Sequence, residues 1–283
     1  SMREFHSQSP DKTNPHIQIP DCENFFQAED DFSWQLSLQA FPPGYAPCHV
    51  LQSQRIPPFP EMTRRLLVEE YCPPHIADDI LTSEANKDCL IRPYLGRRRA
   101  RTEPQRPIQP RGFSLRNFPL HVDQMDDLGI SLEDRQQYAR IMAQTLAIMH
   151  WHAKIDGADI EFVLAPPNTT QRRAADVMSN VLGDHSMWVL DIDCCRYLSP
   201  DHAGVKQAVS AFWRNDPFYP RPIMEPALWA AFRVEYLQAS EASLRLLGKA
   251  EAEKRRGFPQ HFIDKVEDIA QYRYGNTVSF AED

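Results

Sequence analysis

Five acidic residues in the middle of the chain could do chemistry together. They lie in or beside two short apolar segments and are Asp156, Asp159, Glu161, Asp191 and Asp193. Carboxylate oxygens that converge on one point suit magnesium or manganese. Carboxylates crowded into a closed pocket instead raise the pKa of one group enough to serve acid/base chemistry. A structural role is the third interpretation, with one Asp capping a loop and another pairing with Arg196 or Arg214.

Two histidines precede these acids. His150 and His152 could act as general bases, although a histidine at the end of an apolar helix also commonly hydrogen bonds a carbonyl. We therefore take them as candidate catalytic residues together with Asp156, Glu161 and Asp191. None of the five is assigned as a metal ligand.

Aromatic residues near the same segments could line an apolar ligand cavity or simply belong to the core. The candidate ligand-binding residues are Trp151, Trp188, Asp193, Arg196, Trp213 and Phe218. The turn at Asn215–Pro217 is predicted to fix a loop, with Arg214 and Arg221 in a position to pair with the acids.

The elements that must position these residues are helical before and after the acids. Ser131 and Asp134 form a capping box, and the apolar stripe from Tyr138 to Met149 predicts a helix that delivers the chain to Asp156. Further helices are predicted from Ser199, over 229–247 and over 258–269. The segments 162–164 and 188–190 are predicted strands.

The first hundred residues show a different pattern. Residues 1–60 are rich in proline and predict extended or strand segments at 16–19 and 49–51. A helix is predicted from Pro60 to Tyr71, where Cys72-Pro73-Pro74 would end it. Residues 89–96 then predict a strand that runs into a loop.

Composition excludes several classes of protein. The chain has 283 residues, of which 42% are apolar, enough for a substantial core. The net charge of −8 provides no attraction to phosphate backbones, so nucleic acid is not an expected partner. Because no apolar run could span a bilayer and no signal peptide is visible, we expect an intracellular, cytoplasmic protein without membrane contact.

The six cysteines do not have the spacing of a zinc site. They are scattered except for the adjacent Cys194 and Cys195, and none forms a Cys-x-x-Cys pair. A zinc finger is therefore disfavoured. The adjacent pair could be redox-active or could be small buried residues at a strand exit.

The order of helix, acidic loop, two apolar strands and Asp resembles the C-terminal lobe of a protein kinase. Asp156 stands where a kinase has its catalytic-loop Asp, and Asp191 stands where the metal-holding Asp follows a later strand. The match departs from the kinase pattern at Lys154, which replaces His, and at Glu161, which replaces Asn.

Longer strings are similar to a large fungal family, domain of unknown function 3669, whose members are often labelled zinc finger proteins. The strings lie at 47–94, 113–120, 150–166, 190–196 and 214–222. The resemblance covers most of residues 45–245. It implies a fungal source and a kinase-like fold, and it supplies no established reaction.

Members of this family commonly begin with a glycine-containing loop and a strand bearing Lys. No Gly-x-Gly-x-x-Gly precedes Pro47, and no Val-Ala-Ile-Lys-like strand is visible. We therefore predict an α+β, mainly helical chain with a degenerate protein-kinase-like fold, its C-terminal lobe retained and its N-terminal lobe truncated. The predicted divisions are a lobe remnant and hinge (1–95), a flexible Arg/Pro-rich loop (96–112) and a helical lobe (113–283).

The Arg/Pro-rich loop has three interpretations, a localisation signal, an anion clamp or simply a solvated loop. For the whole chain, three functions stay open. The first is a pocket for an apolar small molecule, with cyclase or isomerase activity in fungal specialised metabolism and no cofactor. The second is a pseudokinase-like module that binds a protein partner. The third is a small-molecule phosphotransferase that uses Mg-ATP.

Overall fold

The computed structural model describes residues 17–99, 112–167 and 176–278. Helix makes up about 51% of the described residues and strand about 16%, which confirms an α+β and mainly helical chain. The predicted flexible loop at 96–112 lies outside the described residues except for 96–99 and Gly112. Of the described helices, none is long and apolar enough to cross a membrane.

Six of the strands form one mixed sheet. The strands are β1 (Ile17–Gln18), β2 (Cys22–Phe26), β3 (Val50–Ser53), β4 (Ile91–Tyr94), β5 (Phe118–His121), β6 (Glu161–Ala165), β7 (Met178–Asn180) and β8 (Gly183–Leu190). The sheet has the order β1-β8-β6-β4-β5, with β7 paired to β8, while β2 and β3 form a separate antiparallel hairpin. The outer pairs β1–β8 and β4–β5 are parallel, and β6 is antiparallel to both of its neighbours.

The helices occur both between the strands and after the last strand of the sheet. They are α1 (Asp31–Ser37), α2 (Glu61–Tyr71), α3 (Ala77–Thr82), α4 (Glu84–Lys87), α5 (Val122–Asp127), α6 (Leu132–Ile148), α7 (His202–Arg214), α8 (Pro226–Arg245), α9 (Lys249–Arg255) and α10 (Phe258–Val278). The predicted helices at 60–71, before the acids, and from 199, 229 and 258 correspond to α2, α6, α7, α8 and α10.

The helix before the acids begins as predicted. The Ser131 hydroxyl accepts a hydrogen bond from the backbone N–H of Asp134 at 3.1 Å. The α-helix ends at Ile148, and a π-helical turn (Met149–Ala153) follows, so the two histidines lie on this turn. Helix α6 buries its apolar stripe against α8 in the main core.

One element contradicts the extended pattern predicted for residues 1–60. Helix α1 forms there because Asp30 caps it, its carboxylate accepting from the backbone N–H of Ser33 at 3.1 Å. Trp34 on this helix is buried, and its ring packs beside those of Phe26 and Phe41. The segment from β2 to β3 thus has a small aromatic core of its own.

Candidate functional site

The predicted acids lie at one end of the β6–β8 strand pair. Glu161, the first residue of β6, is opposite Leu190, the last residue of β8. The chain reaches β6 through residues 154–160, called here the acidic loop. It leaves β8 through residues 191–198, called here the return loop. The antiparallel register therefore brings the two loops to the same edge of the sheet.

Backbone hydrogen bonds tie these loops to each other. The N–H of Asp156 donates to the carbonyl of Arg196 at 3.0 Å, and the N–H of Leu198 donates to the carbonyl of Lys154 at 2.8 Å. The loops consequently form one paired unit rather than two independent connections.

Asp156 lies inside this paired unit. The residue is 3% exposed, and its Oδ1 accepts from the backbone N–H groups of Arg196 at 2.9 Å and Ala158 at 3.1 Å. Its Oδ2 accepts from Nε2 of Gln207 at 2.8 Å. Three hydrogen bonds to one buried carboxylate thus fix the acidic loop, tie it to the return loop through Arg196, and tie it to α7 through Gln207.

Several loop residues have left-handed backbone conformations. Lys154, Asp159 and Asp191 have φ values of 61°, 62° and 63°, although none is glycine. Asn215 supports this geometry from the end of α7. Its Oδ1 accepts from the N–H of Asp159 at 2.8 Å, and its Nδ2 donates to the carbonyl of Gly157 at 2.9 Å. Such conformations persist where surrounding contacts determine them.

Glu161 belongs to a charged network across the sheet. Its carboxylate forms an ion pair with Arg92 of β4, and Arg92 also lies 3.6 Å from Asp216. The hydroxyl of Tyr94 donates to Asp216 at 2.7 Å. Burial raises the pKa of Glu161 above its ordinary value; the charge of Asp191 adds to this effect, and Arg92 opposes it.

His150 lies in the core behind the acidic loop. Its Nδ1 is 2.9 Å from the hydroxyl of Tyr236, which accepts from Nε1 of Trp151 at 3.0 Å. Its Nε2 faces the carbonyl oxygen of Asp156 at 3.4 Å. Because a carbonyl can only accept, we assign the ring proton to Nε2 and let Tyr236 donate to Nδ1. Burial lowers the pKa of His150 to about 4, so the ring is neutral at pH 7.

The remaining charged candidates lie nearer to solvent. His152 is half-buried on the π-helical turn, while Asp193 and Arg196 are exposed in the return loop. Asp193 adjoins Cys194, and its charge raises the pKa of that thiol. Burial raises the pKa of the neighbouring Cys195 to about 12. Neither cysteine has the lowered pKa of a reactive thiol.

The other aromatic candidates do not line a common cavity. Phe218 is fully buried in the main core. Trp188 is also fully buried, but it belongs to a second, small apolar cluster with Val163 and Ala165. Trp213 is half-buried at the end of α7. The structure thus brings Asp156, Glu161, Asp191 and the return loop together. Of the aromatic candidates, Trp151, Trp213 and Phe218 belong to the main core or pack against it, whereas Trp188 belongs to the second cluster.

A cavity of about 300 Å³, called here the cleft, adjoins the second apolar cluster. Ile56, Leu90 and Leu190 pack against this cluster and also line the cleft. Arg55 and Asp88 form an ion pair at its border. Since Asp191 directly follows Leu190, the cleft and the paired loops are neighbours.

Within residues 17–99, 112–167 and 176–278, no three His, Cys, Asp or Glu side chains are grouped so that they could hold a metal ion. All six cysteines are free, two of them buried and two exposed.

Three residues of this site were not identified from sequence. Arg92 neutralises Glu161, Gln207 holds Asp156, and Tyr236 links His150 with Trp151. Each is separated from its partner by 50 residues or more along the chain. No local spacing pattern connects residues so far apart, so only the chain's path in three dimensions reveals these pairs.

The arginines proposed to pair with the acids have other surroundings. Neither Arg214 nor Arg221 forms an ion pair with a carboxylate of the described residues. The partner of Glu161 is Arg92 instead, because strand pairing brings β4 beside β6.

A family model matches residues 187–247. It is the model of domain of unknown function 3669, described as a zinc finger protein. The matched segment runs from the end of β8 through the return loop and α7 into the region just after α8, which is well under half of the chain. Comparison with curated proteins and with solved structures found no match.

Proposed function

We propose that the protein is a degenerate kinase-like domain that binds an apolar small molecule in the cleft. The observation that carries this proposal is the cleft's apolar side, where Ile56, Leu90 and Leu190 cover a cluster separate from the main core. Concave sites with an apolar wall and a few polar groups are the usual form of a small-molecule site.

The kinase-like part of the proposal rests on the order and pairing of elements. Helix α6, the acidic loop, β6, β8 and Asp191 follow each other as they would in a kinase C-terminal lobe. The hydrogen bonds of Asp156 favour a structural role for this acid, because each of its oxygens already accepts from the protein. A kinase-like arrangement that keeps its loops but uses its acid internally fits a ligand other than ATP.

An enzymatic form of this function would use Glu161 and Asp191. Both lie at the edge of the sheet next to Leu190, which lines the cleft, and burial raises the pKa of Glu161 above its ordinary value. We propose these two acids as the proton-transfer groups of a cyclase or isomerase of fungal specialised metabolism that needs no nucleotide.

Ligand titration with variants tests the proposal. The protein is screened by thermal shift with chromatographic fractions of an apolar fungal-culture extract, and active fractions are titrated calorimetrically. We expect saturable stabilisation in the wild type and its loss in Leu190→Trp, whose larger ring fills the cleft. Leu237→Trp, which fills a groove beside α9 and α10, is the matched control and should bind normally.

A parallel titration with Mg-ATP covers the phosphotransferase alternative. ATP binding that is abolished by Asp191→Ala would favour phosphoryl transfer and overturn the proposal. If no fraction stabilises the protein, or if wild type and Leu190→Trp bind equally, a ligand site in the cleft is contradicted.

A second candidate function is a pseudokinase-like protein-interaction module, favoured by exposed apolar residues around β2 and β3. Phe25 and Leu51 are 57% and 61% exposed and are cross-strand neighbours. Phe32 and Leu36 on α1 are 73% and 62% exposed. Within the described ranges no third strand pairs with this hairpin, so its edge fits an extended apolar segment of a partner.

Selection from a displayed peptide library tests this second function. Extended apolar peptides should be enriched, and their binding should be lost in Phe25→Ser and Leu51→Ser but kept in Leu190→Trp. Peptides without a shared pattern, or peptides that bind all variants equally, would argue against an interaction surface here.

A further inference from the structure

A second cavity of about 300 Å³ lies where the chain after β4, the end of α7 and helix α10 meet. Four arginines line it: Arg97, Arg214, Arg221 and Arg273. Trp213 and Asp216 are also among its lining residues. The cavity shares no lining residue with the cleft.

The described residues do not balance the positive charge of this cavity. None of the four arginines forms an ion pair with a carboxylate of the described residues. Asp216 is the one carboxylate among the described lining residues, and it is engaged elsewhere by Tyr94 and Arg92. Within residues 17–99, 112–167 and 176–278, four arginines without a paired carboxylate thus share one small space, although the net charge of the chain is −8.

Arg221 is the buried centre of the group. It is 5% exposed, and its guanidinium lies 4.6 Å from the ring of Trp213 and 4.9 Å from that of Phe212. Its Nη1 donates to the carbonyl of Phe212 at 3.2 Å. These contacts fix the orientation of the guanidinium but supply no negative charge, and a buried cation without a counter-charge is costly.

Neighbouring groups complete the cavity. The guanidinium of Arg273 also lies 4.6 Å from the ring of Trp213. Gly96 lets the backbone approach closely, since a Cβ there would lie 3.1 Å from Nε of Arg221. Burial lowers the pKa of Arg221 to about 10, and the positive charges of Arg273 and Arg97 act in the same direction.

We infer that this cavity binds a compact oxyanion of the phosphate class, either inorganic phosphate or the phosphate group of a small organic monoester. Guanidinium groups match phosphate oxygens with paired N–H donors, and several converging arginines suit a dianion better than a single carboxylate. Arg221 would contact the anion from inside, and Arg214 and Arg273 from the rim. The inference does not depend on the ligand proposed for the cleft.

Calorimetric titration with inorganic phosphate and with phenyl phosphate tests the inference, at an ionic strength held constant with NaCl. We expect saturable binding of one or both anions. Arg221→Lys and Arg273→Gln should each weaken it by about tenfold or more, because each removes paired N–H donors. Arg245→Gln, an exposed helix arginine outside the cavity, should bind like the wild type.

The two anions identify the source of the phosphate. Tighter binding of phenyl phosphate supports an organic monoester, and equal or weaker binding supports inorganic phosphate. If Arg221→Lys fails to fold, Arg273→Gln and Arg214→Gln, both at exposed positions, provide the same comparison. Absence of saturable binding by both anions, or unchanged affinity in the rim variants, would overturn the inference.

Discussion

At the scale of single residues, the contacts of Asp156 account for its burial. Its carboxylate accepts from two backbone N–H groups and from Gln207. The bond from Arg196 joins the acidic loop to the return loop, and the bond from Gln207 joins it to α7. The Gln207 amide also donates to the carbonyl of Tyr197 at 3.1 Å, so it cannot turn to suit a new partner without losing that bond.

Asp156→Asn is therefore expected to lower the free energy of unfolding. The new amide would place a donor against the donor of Gln207, and an unsatisfied buried group costs about 1–3 kcal/mol. Urea unfolding measures the change. Asp193→Asn, at an exposed position of the return loop, should stay within about 0.5 kcal/mol of the wild type. Equal stability of both variants would contradict the structural role of Asp156.

His150 gives the chain a pH-dependent stability. In the unfolded chain the imidazole takes up a proton near the ordinary histidine pKa of 6.5, whereas in the folded protein it does so only near about 4. Between these values the unfolded state binds more protons, so stability falls as the pH falls. The loss across this window is on the order of 3 kcal/mol.

His150→Gln should flatten this dependence, although the variant is less stable at neutral pH because it loses a buried hydrogen bond. Chemical unfolding at a series of pH values between 4 and 6.5 checks the slope. His75→Gln, at an exposed position, should keep the slope of the wild type. The assignment fails if both variants show the same slope.

At the scale of elements, the end of β4 depends on close backbone contact with the segment that follows α7. The N–H groups of Leu95 and Gly96 donate to the carbonyls of Phe218 and Pro217 at 3.1 and 2.8 Å. This contact carries Arg97 toward Arg221 and holds Asp216 near Arg92. It therefore shapes both the charged network and the arginine cavity.

Gly96→Ala should disrupt this contact. A Cβ at position 96 would lie 2.3 Å from the carbonyl oxygen of Tyr219, so the backbone must shift, at a cost of about 1–3 kcal/mol. Thermal unfolding should show the loss, and phosphate binding should weaken with it. Gly257→Ala has open space around its Cβ and should be neutral or slightly stabilising. A fully stable Gly96→Ala protein would contradict this packing.

At the scale of the whole molecule, the segment from β2 to β3 is attached differently from the rest. Most of its residues are exposed, and Trp34, its buried aromatic, belongs to neither of the two apolar clusters. Helices α6 and α8 lie in the main core. Local stability follows buried contacts, so the two regions are expected to open independently.

Hydrogen exchange should resolve this difference. Amides of β2 and β3 should exchange much faster than those of α6 and α8 in the wild type. Trp34→Ala should speed exchange further in the hairpin and leave α6 unchanged. Phe162→Leu, in the main core, should instead speed exchange in α6. Uniform protection over both regions would contradict independent opening.

Local patterns predicted much of the helical part of the fold. The Ser131 cap of α6 and the apolar spacing of α2 and α6 are formed by residues three or four positions apart, so these local interactions do not depend on the tertiary arrangement. Helix α1 had a comparable signal in Asp30 and Ser33, but the surrounding prolines and short apolar pieces favoured an extended interpretation. The apolar stripe placed the two histidines where the helix was expected to end; they lie just after α6 on the π-helical turn, and only packing showed that His150 is buried in the core.

By itself, the sequence determined an α+β, mainly helical chain with its acids beside the ends of two strands, because periodicity and capping act between near neighbours. The tertiary structure decided which charges meet. Arg92 reaches Glu161 through strand pairing, Tyr236 reaches His150 through helix packing, and Arg97, Arg221 and Arg273 share a cavity. These contacts join segments far apart along the chain, so they form only when the whole chain has folded.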